Sequence, residues 1–290
     1  MLNPQTTYFG RIKQALELIP QNPLMFIALP IFSILITYII GPAIVGILVT
    51  LLYPLLQTYF AASTAMIIYL VIGIIVMLII SVILQGVTLL SQITTTAQLD
   101  QEKKDVAGTI IQKSFSQLGS YVRLSIRIAI YFLIPMLLVI AVMILYAVLN
   151  TIVSSGVMDY SFASGLNSIL GIVGTIALLW AILSIILRGP RTIFAFHFLA
   201  IKKYSAKEAF QESLQITKGR WGKMILHILA FGIVAFVVQF IVNLIPDGTL
   251  AMILQAIVEA LLLSTWVIYT YLFLKVTEAQ PAVTVTPVKQ

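Results

Sequence analysis

RGPRTIFAFHFLAIKKYSAKEAFQESLQITKGRWGK, running from Arg188 to Lys223, is the one long polar interruption in an otherwise apolar chain, and its second half decides the fold. It carries eight of the seventeen Lys and Arg residues. Ser205 and Glu208 have the S-x-x-E spacing of a capping box, in which each side chain satisfies a backbone N–H at a helix start, so a helix begins at Ala206. Ala206, Ala209, Phe210, Ser213, Leu214 and Thr217 then share one face, and Lys207, Glu208, Gln211, Glu212, Gln215 and Lys218 the other. Gly219 supplies the left-handed residue that ends the helix. The pattern predicts an amphipathic helix lying in a membrane interface, with Arg220, Trp221 and Lys223 anchoring the descent into the bilayer.

Outward from this stretch the chain is 60% hydrophobic and only 9% charged, with a mean hydropathy of +1.07. A soluble domain of 290 residues would not carry that surface, so the fold class is an all-α polytopic membrane protein. The net charge of +7 sits in short clusters between apolar runs and forms no basic domain, which argues against nucleic acid and for anionic lipid as a partner. A second membrane or cytoplasmic protein is the other partner considered. The absence of cysteine excludes disulfides, thiol catalysis and thiolate metal sites. Arg11 and Lys13 precede an apolar run of more than thirty residues with no small-x-small cleavage site, so the first span is expected to stay in the mature protein.

Taken in order, Tyr8 to Ile19 puts Phe9, Ile12, Leu16 and Ile19 on one stripe and predicts a first interfacial helix. One long bent span follows from Leu24 to about Thr50, interrupted at Gly41 and Pro42, and Tyr53 to Thr64 reads as an aromatic belt on the far side. The second span runs from Ala65 to about Leu90. Asp105 is expected to cap a short helix ended by Gly119, before a third span to about Asn150 with a kink at Pro135. A loop containing Asp159 leads to span four, Asn167 to Leu187. Span five is Met224 to Ile245, an outer turn follows at Pro246, Asp247 and Gly248, and span six is Leu250 to Leu274.

Every Lys and Arg falls on one side of this partition, which predicts that both termini are cytoplasmic and that the protein sits in the cytoplasmic membrane. Lys103, Asp105, Gly119, Tyr121, Arg123 and Arg127 are matched at a spacing of 100 by Lys203, Ser205, Gly219, Trp221, Lys223 and His227. The chain therefore reads as a single domain over 1–277 made of three parallel repeats of interfacial helix plus hairpin, at about 6–100, 101–204 and 205–277, with an unstructured tail over 278–290.

The central SAKEAFQESLQITKGRW, together with TYLFLK at Thr270 to Lys275, resembles the signature of bacterial six-helix integral membrane families, such as the membrane domain of glycerophosphoryl diester phosphodiesterases. The resemblance rests on Ser205, Glu208, Ala209, Ser213, Leu214, Lys218, Gly219, Arg220 and Trp221. It implies a bacterial membrane module without catalytic residues. The soluble phosphodiesterase barrel of the fused members has no counterpart in this chain.

No constellation for catalysis or metal binding stands out. His197 and His227 lack a second ligand at i+3 or i+4 and read as interfacial side chains, so no metal and no cofactor is expected. Head-group contacts are expected from Lys203, Lys207, Lys218, Arg220, Lys223, Arg123 and Arg127. Glu259 is the one acidic residue deep within a span, roughly 14 Å along the helix from Leu250. It is expected to be neutral or hydrogen-bonded within the bundle, with Gln255 one turn away and Gln239 and Asn243 on the preceding helix completing a polar cluster. The residues therefore point to a non-enzymatic accessory module contacting anionic lipid on its cytoplasmic face. The alternative is a small-molecule or lipid transporter with a polar site around Glu259.

Overall fold

The computed structural model describes residues 7–59, 62–103, 105–154, 160–246 and 248–279. Lys104, Asp159, Asp247, Lys289 and the tail beyond 279 lie outside the described residues. Every described element is helical, and six helices are long and apolar enough to cross a membrane, the architecture of a multi-pass membrane protein.

The short helix α1 (Tyr8–Leu18) precedes a helical run over 24–59, in which π-helical segments Leu24–Ala28 and Ile36–Ile40 alternate with α2 (Leu29–Leu35) and α3 (Gly41–Tyr59). Then come α4 (Ala62–Asp100), α5 (Ala107–Ser116), the hairpin of α6 (Leu118–Ser154) and α7 (Tyr160–Arg188), a 3₁₀ turn at Gly189–Thr192, α8 (Ala195–Lys202), α9 (Ala206–Ile216), and the hairpin of α10 (Trp221–Val242) and α11 (Thr249–Ala279). The 39 residues of α4 reach about 58 Å at about 1.5 Å each, roughly twice a hydrocarbon core of about 30 Å. Their surplus lies at the end of the molecule that carries the basic residues. There the later parts of α4 and α11 meet α8 and the Phe194 that precedes it in one core of Leu90, Ile93, Phe194, Phe198, Val267 and Phe273. The opposite ends of the hairpins expose Met143, Ile144, Ile176, Phe236 and Leu250, as a lipid-facing surface does.

Several boundaries differ from the sequence reading. Helix runs on through Tyr53 to Tyr59 and restarts at Ala62, so the proposed belt segment is mostly helix. The polar run after Leu90 stays helical to Asp100, because Thr94 and Thr96 return their hydroxyls to the carbonyls of Leu90 and Gln92 instead of competing for turns. Within the polar interruption, before Ser205, lies α8, a helix where the sequence reading assigned no element, and its His197, Phe198 and Leu199 are buried. The helix α11 continues past Leu274 through Glu278 and Ala279, two residues assigned to the tail, since Lys202 pairs with Glu278 and Arg220 donates to the Thr277 carbonyl.

The helices α9, α5 and α1 differ in how they are built. In α9 the capping box of Ser205 and Glu208 is formed, Ala206, Ala209 and Ser213 are buried, and Gly219 has φ of 76°. Its apolar face meets protein: Phe210 packs edge-on against Tyr131 at 5.4 Å, and Ser213 donates to the Arg191 carbonyl at 2.8 Å. At α5, Val106 takes the N-cap position, because the Asp105 carboxylate instead accepts hydrogen bonds from Lys113 and Gln98, each 2.8 Å. Gly119 ends nothing there and lies inside α6. On α1 the stripe is rotated: Arg11, Ile12, Ala15 and Leu18 face inward against α11, while Phe9 and Leu16 are exposed.

Candidate functional site

Proline creates the first polar feature of the membrane layer. Pro30 has no N–H to return to the turn before it, so carbonyls near Leu24–Ala28 need donors from elsewhere. Ser264 on α11 donates to the Phe26 carbonyl, and Gln92 on α4 donates to Ser264 at 2.8 Å and to the Met25 carbonyl at 3.4 Å. Three spans are thereby tied at one depth, with Met25, Phe26, Gln92 and Ser264 all fully buried. Gln92 and Pro30 carried no role in the sequence reading. An amide and a proline in separate apolar runs are the signal that could have joined them.

Above this tie, toward Glu259, α2, α4 and α11 surround a cavity of about 480 Å³. Ser33, Thr37, Ser81, Gln85, Thr88 and Glu259 supply its polar lining, and Tyr121 closes one side. Tyr121 reaches it because α4 carries Gly86 there, where a Cβ would meet the tyrosine ring at 2.7 Å. Glu259 is half-buried, and Gln255 donates to its Oε1 at 2.9 Å. The carboxylate therefore faces spans one and two. Of the expected partners only Gln255 joins it: Gln239 and Asn243 line no part of this cavity, and Asn243 is exposed near the end of α10. Position along α10 put them at a compatible depth, but the rotation of α11 aims Glu259 the other way.

At the basic end Asp100, Asp105, Glu208 and Glu278 are engaged, whereas Glu102 and Glu212 make no ion pair among the described residues. Asp105 pairs with Lys113, Glu278 with Lys202, and Asp100 with Lys275 while accepting the Tyr271 hydroxyl. Lys113 holds the Asp105 carboxyl below the usual carboxylate range, and the backbone N–H of Ser205 does the same for Glu208. Lys203, Lys207, Lys218, Arg123 and Arg127 are exposed and make no ion pair among the described residues. Lys223 is exposed as well. Arg220 departs from the expected surface role, being 7% exposed and committed in part to the Thr277 carbonyl.

The two histidines are core residues, not interfacial ones. His197 Nε2 lies 3.3 Å from the Val267 carbonyl and 3.2 Å from the Thr270 hydroxyl. His227 stacks face to face on both Tyr269 and Phe273, with ring centroids 3.8 and 4.1 Å away. Flat contact on aromatic rings, not water, is what this side chain finds one helical turn below Lys223. Arg11 lies beside them with its guanidinium 5.2 Å from the centroids of Tyr8 and Phe273. Its Nε and Nη1 are shut off from solvent without an acceptor, and burial lowers its pKa while a guanidinium stays charged. Two cation–π contacts supply about 0.5–2 kcal/mol each, less than the several kcal/mol that desolvating an ion costs. Among the described residues no group of three His, Asp or Glu is placed to hold a metal ion.

Comparison with family models, with curated proteins and with solved structures returns no match.

Proposed function

We propose that this protein is a non-enzymatic accessory module of the cytoplasmic membrane that binds anionic lipid at its basic end. The observation that carries the reading is the charge balance of that end. Asp105, Glu278 and Asp100 are engaged with Lys113, Lys202 and Lys275 and Glu208 is held in the cap of α9, so that the exposed cations Lys203, Lys207, Lys218, Arg123 and Arg127 outnumber the remaining carboxylates there, Glu102 and Glu212. Each cation near a membrane surface contributes about 1 kcal/mol of attraction to anionic lipid. The same excess orients the chain with both termini in the cytoplasm. The resemblance of Ser205 to Trp221 to phosphodiesterase membrane domains supports a module of this kind, and the recurring order of short helix and hairpin supports three parallel repeats. The test is thermal unfolding in detergent micelles doped with phosphatidylglycerol or with phosphatidylcholine. Stabilisation by the anionic lipid that fades with added salt is expected, and equal shifts from both lipids would remove the reading.

A second reading has its own support. A cavity of about 480 Å³ lined by hydroxyls, an amide and Glu259 is the kind of intramembrane polar site a small-molecule or lipid transporter uses.

A further inference from the structure

The chamber around Glu259 has an apolar neighbour. Thr37, on the π-helical segment Ile36–Ile40, and Ser81, on α4, line the chamber and also line a groove of about 490 Å³, so the two volumes meet at this pair. Beyond it the groove is apolar: Pro42, Val45, Ile74, Met77 and Leu78 supply its walls where α3 packs on α4. Ile74 and Leu78 are exposed on the surface of the spans, so the groove opens to lipid. From Thr88 to Ile74 the two volumes follow α4 for about 21 Å at about 1.5 Å per residue. Hydroxyls, an amide and a carboxylate stand at one end of that path and hydrocarbon at the other, which is the division within an amphiphile.

The charge of the polar end selects the head group. Among the described residues Glu259 makes no ion pair, and no Lys, Arg or His lines the chamber. Gln255 donates to one carboxylate oxygen, but an amide brings no charge to balance it. A carboxylate ion at this depth is costly without a cation. We propose that the Glu259 chamber and the α3–α4 groove form one site for a membrane-resident amphiphile, its ammonium head on Glu259 and its hydrocarbon chain along Met77, Leu78 and Ile74. The site rests on the transporter reading above and names the class of ligand for it. An ammonium has three N–H donors and no acceptor, and the chamber offers it the Glu259 carboxylate, the hydroxyl oxygens of Ser33 and Thr88, and the amide oxygen of Gln85, whose nitrogen donates to Ser81 at 3.0 Å. A phosphate or carboxylate head would meet Glu259 as a like charge, with no cation in the lining to offset it.

The experiment measures binding of radiolabelled dodecylamine to the full chain in phosphatidylcholine nanodiscs, with empty nanodiscs subtracting what the bilayer itself dissolves. The parent is expected to bind one dodecylamine per chain. Dodecanol, which lacks the ammonium, and butylamine, which lacks the chain, should each compete roughly tenfold or more weakly than unlabelled dodecylamine. Glu259→Gln removes the charge and Ser81→Leu plugs the junction of chamber and groove, and each should weaken binding by roughly tenfold or more. Ser81→Leu leaves Glu259 in place and adds an apolar side chain to an apolar helix, so it tests the site even if Glu259→Gln perturbs folding. Dodecanol competing as well as dodecylamine, with Glu259→Gln binding like the parent, overturns the ammonium site and leaves a lipid transporter standing. Butylamine competing as well as dodecylamine overturns the amphiphile and leaves a small-molecule transporter standing. Equal binding by the parent and both variants overturns the site, because the amine is then held elsewhere. No saturable binding of dodecylamine also overturns it, while the transporter reading keeps its own test in the stability of Glu259→Gln.

Discussion

Gln92 and Ser264 stand 172 residues apart in the chain and join side chain to side chain at 2.8 Å, while Ser264 closes on the carbonyl of Phe26. Since Pro30 cannot supply the N–H that an ordinary residue would return to Phe26, the bond from α11 compensates for a defect in span one. Ser264→Ala is expected to cost about 1 kcal/mol in the parent. The cost should shrink in a Pro30→Ala background, where residue 30 regains its N–H. Unfolding of the four proteins of this cycle in detergent measures it, and equal costs in both backgrounds would dissociate the proline from the serine.

Docking of α9 on the bundle gives a second expectation. Phe210 and Leu214 are half-buried on α6 and α8, so Phe210→Asp with Leu214→Asp should lower stability by about 1.5–3 kcal/mol per side chain at most. Ser205→Ala removes the cap alone and should cost about 1 kcal/mol. A melting temperature unchanged by the double variant would mean that the helix stays undocked in solution.

For Glu259 the two functional readings diverge. Glu259→Gln keeps the acceptor for Gln255 and should fold with parental stability, while Glu259→Leu removes it and loosens the wall of the cavity. If Glu259→Gln is as destabilised as Glu259→Leu, the ionised carboxylate is required, and the transporter reading moves ahead of the accessory one.

Acid sensitivity follows from Asp105 and Glu208. Both carboxyls titrate lower in the folded chain than in the unfolded one, by Lys113 in the first case and by the Ser205 cap in the second. The stability they contribute is complete above the unfolded carboxylate range, around pH 4, and is lost as pH falls through the folded values. Melting temperature should therefore drop below about pH 5, and the combined Asp105→Asn and Glu208→Gln protein should show a shallower drop. A parallel profile would assign the acid loss to other groups.

Orientation is open to direct labelling, since the chain has no cysteine. Cysteines at Thr58 and Gly248 should react with an impermeant reagent from outside intact cells, and those at Gln101 and Gln215 should not. Reaction of the Gln215 position from outside would reverse the topology.

Periodicity and charge made six apolar helices and the cap of α9 legible from the residues alone, because span length is set by bilayer thickness and a capping box is satisfied within four residues. Contacts between distant segments were not legible. Arg11 reads as polar on a helical wheel, yet the docking of α1 on α11 turns it inward between Tyr8 and Phe273. Glu259 was visible as an intramembrane carboxylate, but its neighbours were not, since helix rotation depends on the side chains of every packed partner. The sequence by itself determined where the chain is apolar long enough to span, where it is basic, and how α9 begins. Only the tertiary structure decided which polar groups meet, because a buried guanidinium, a proline-starved carbonyl and a carboxylate each take partners from whichever helix packing brings within about 3 Å.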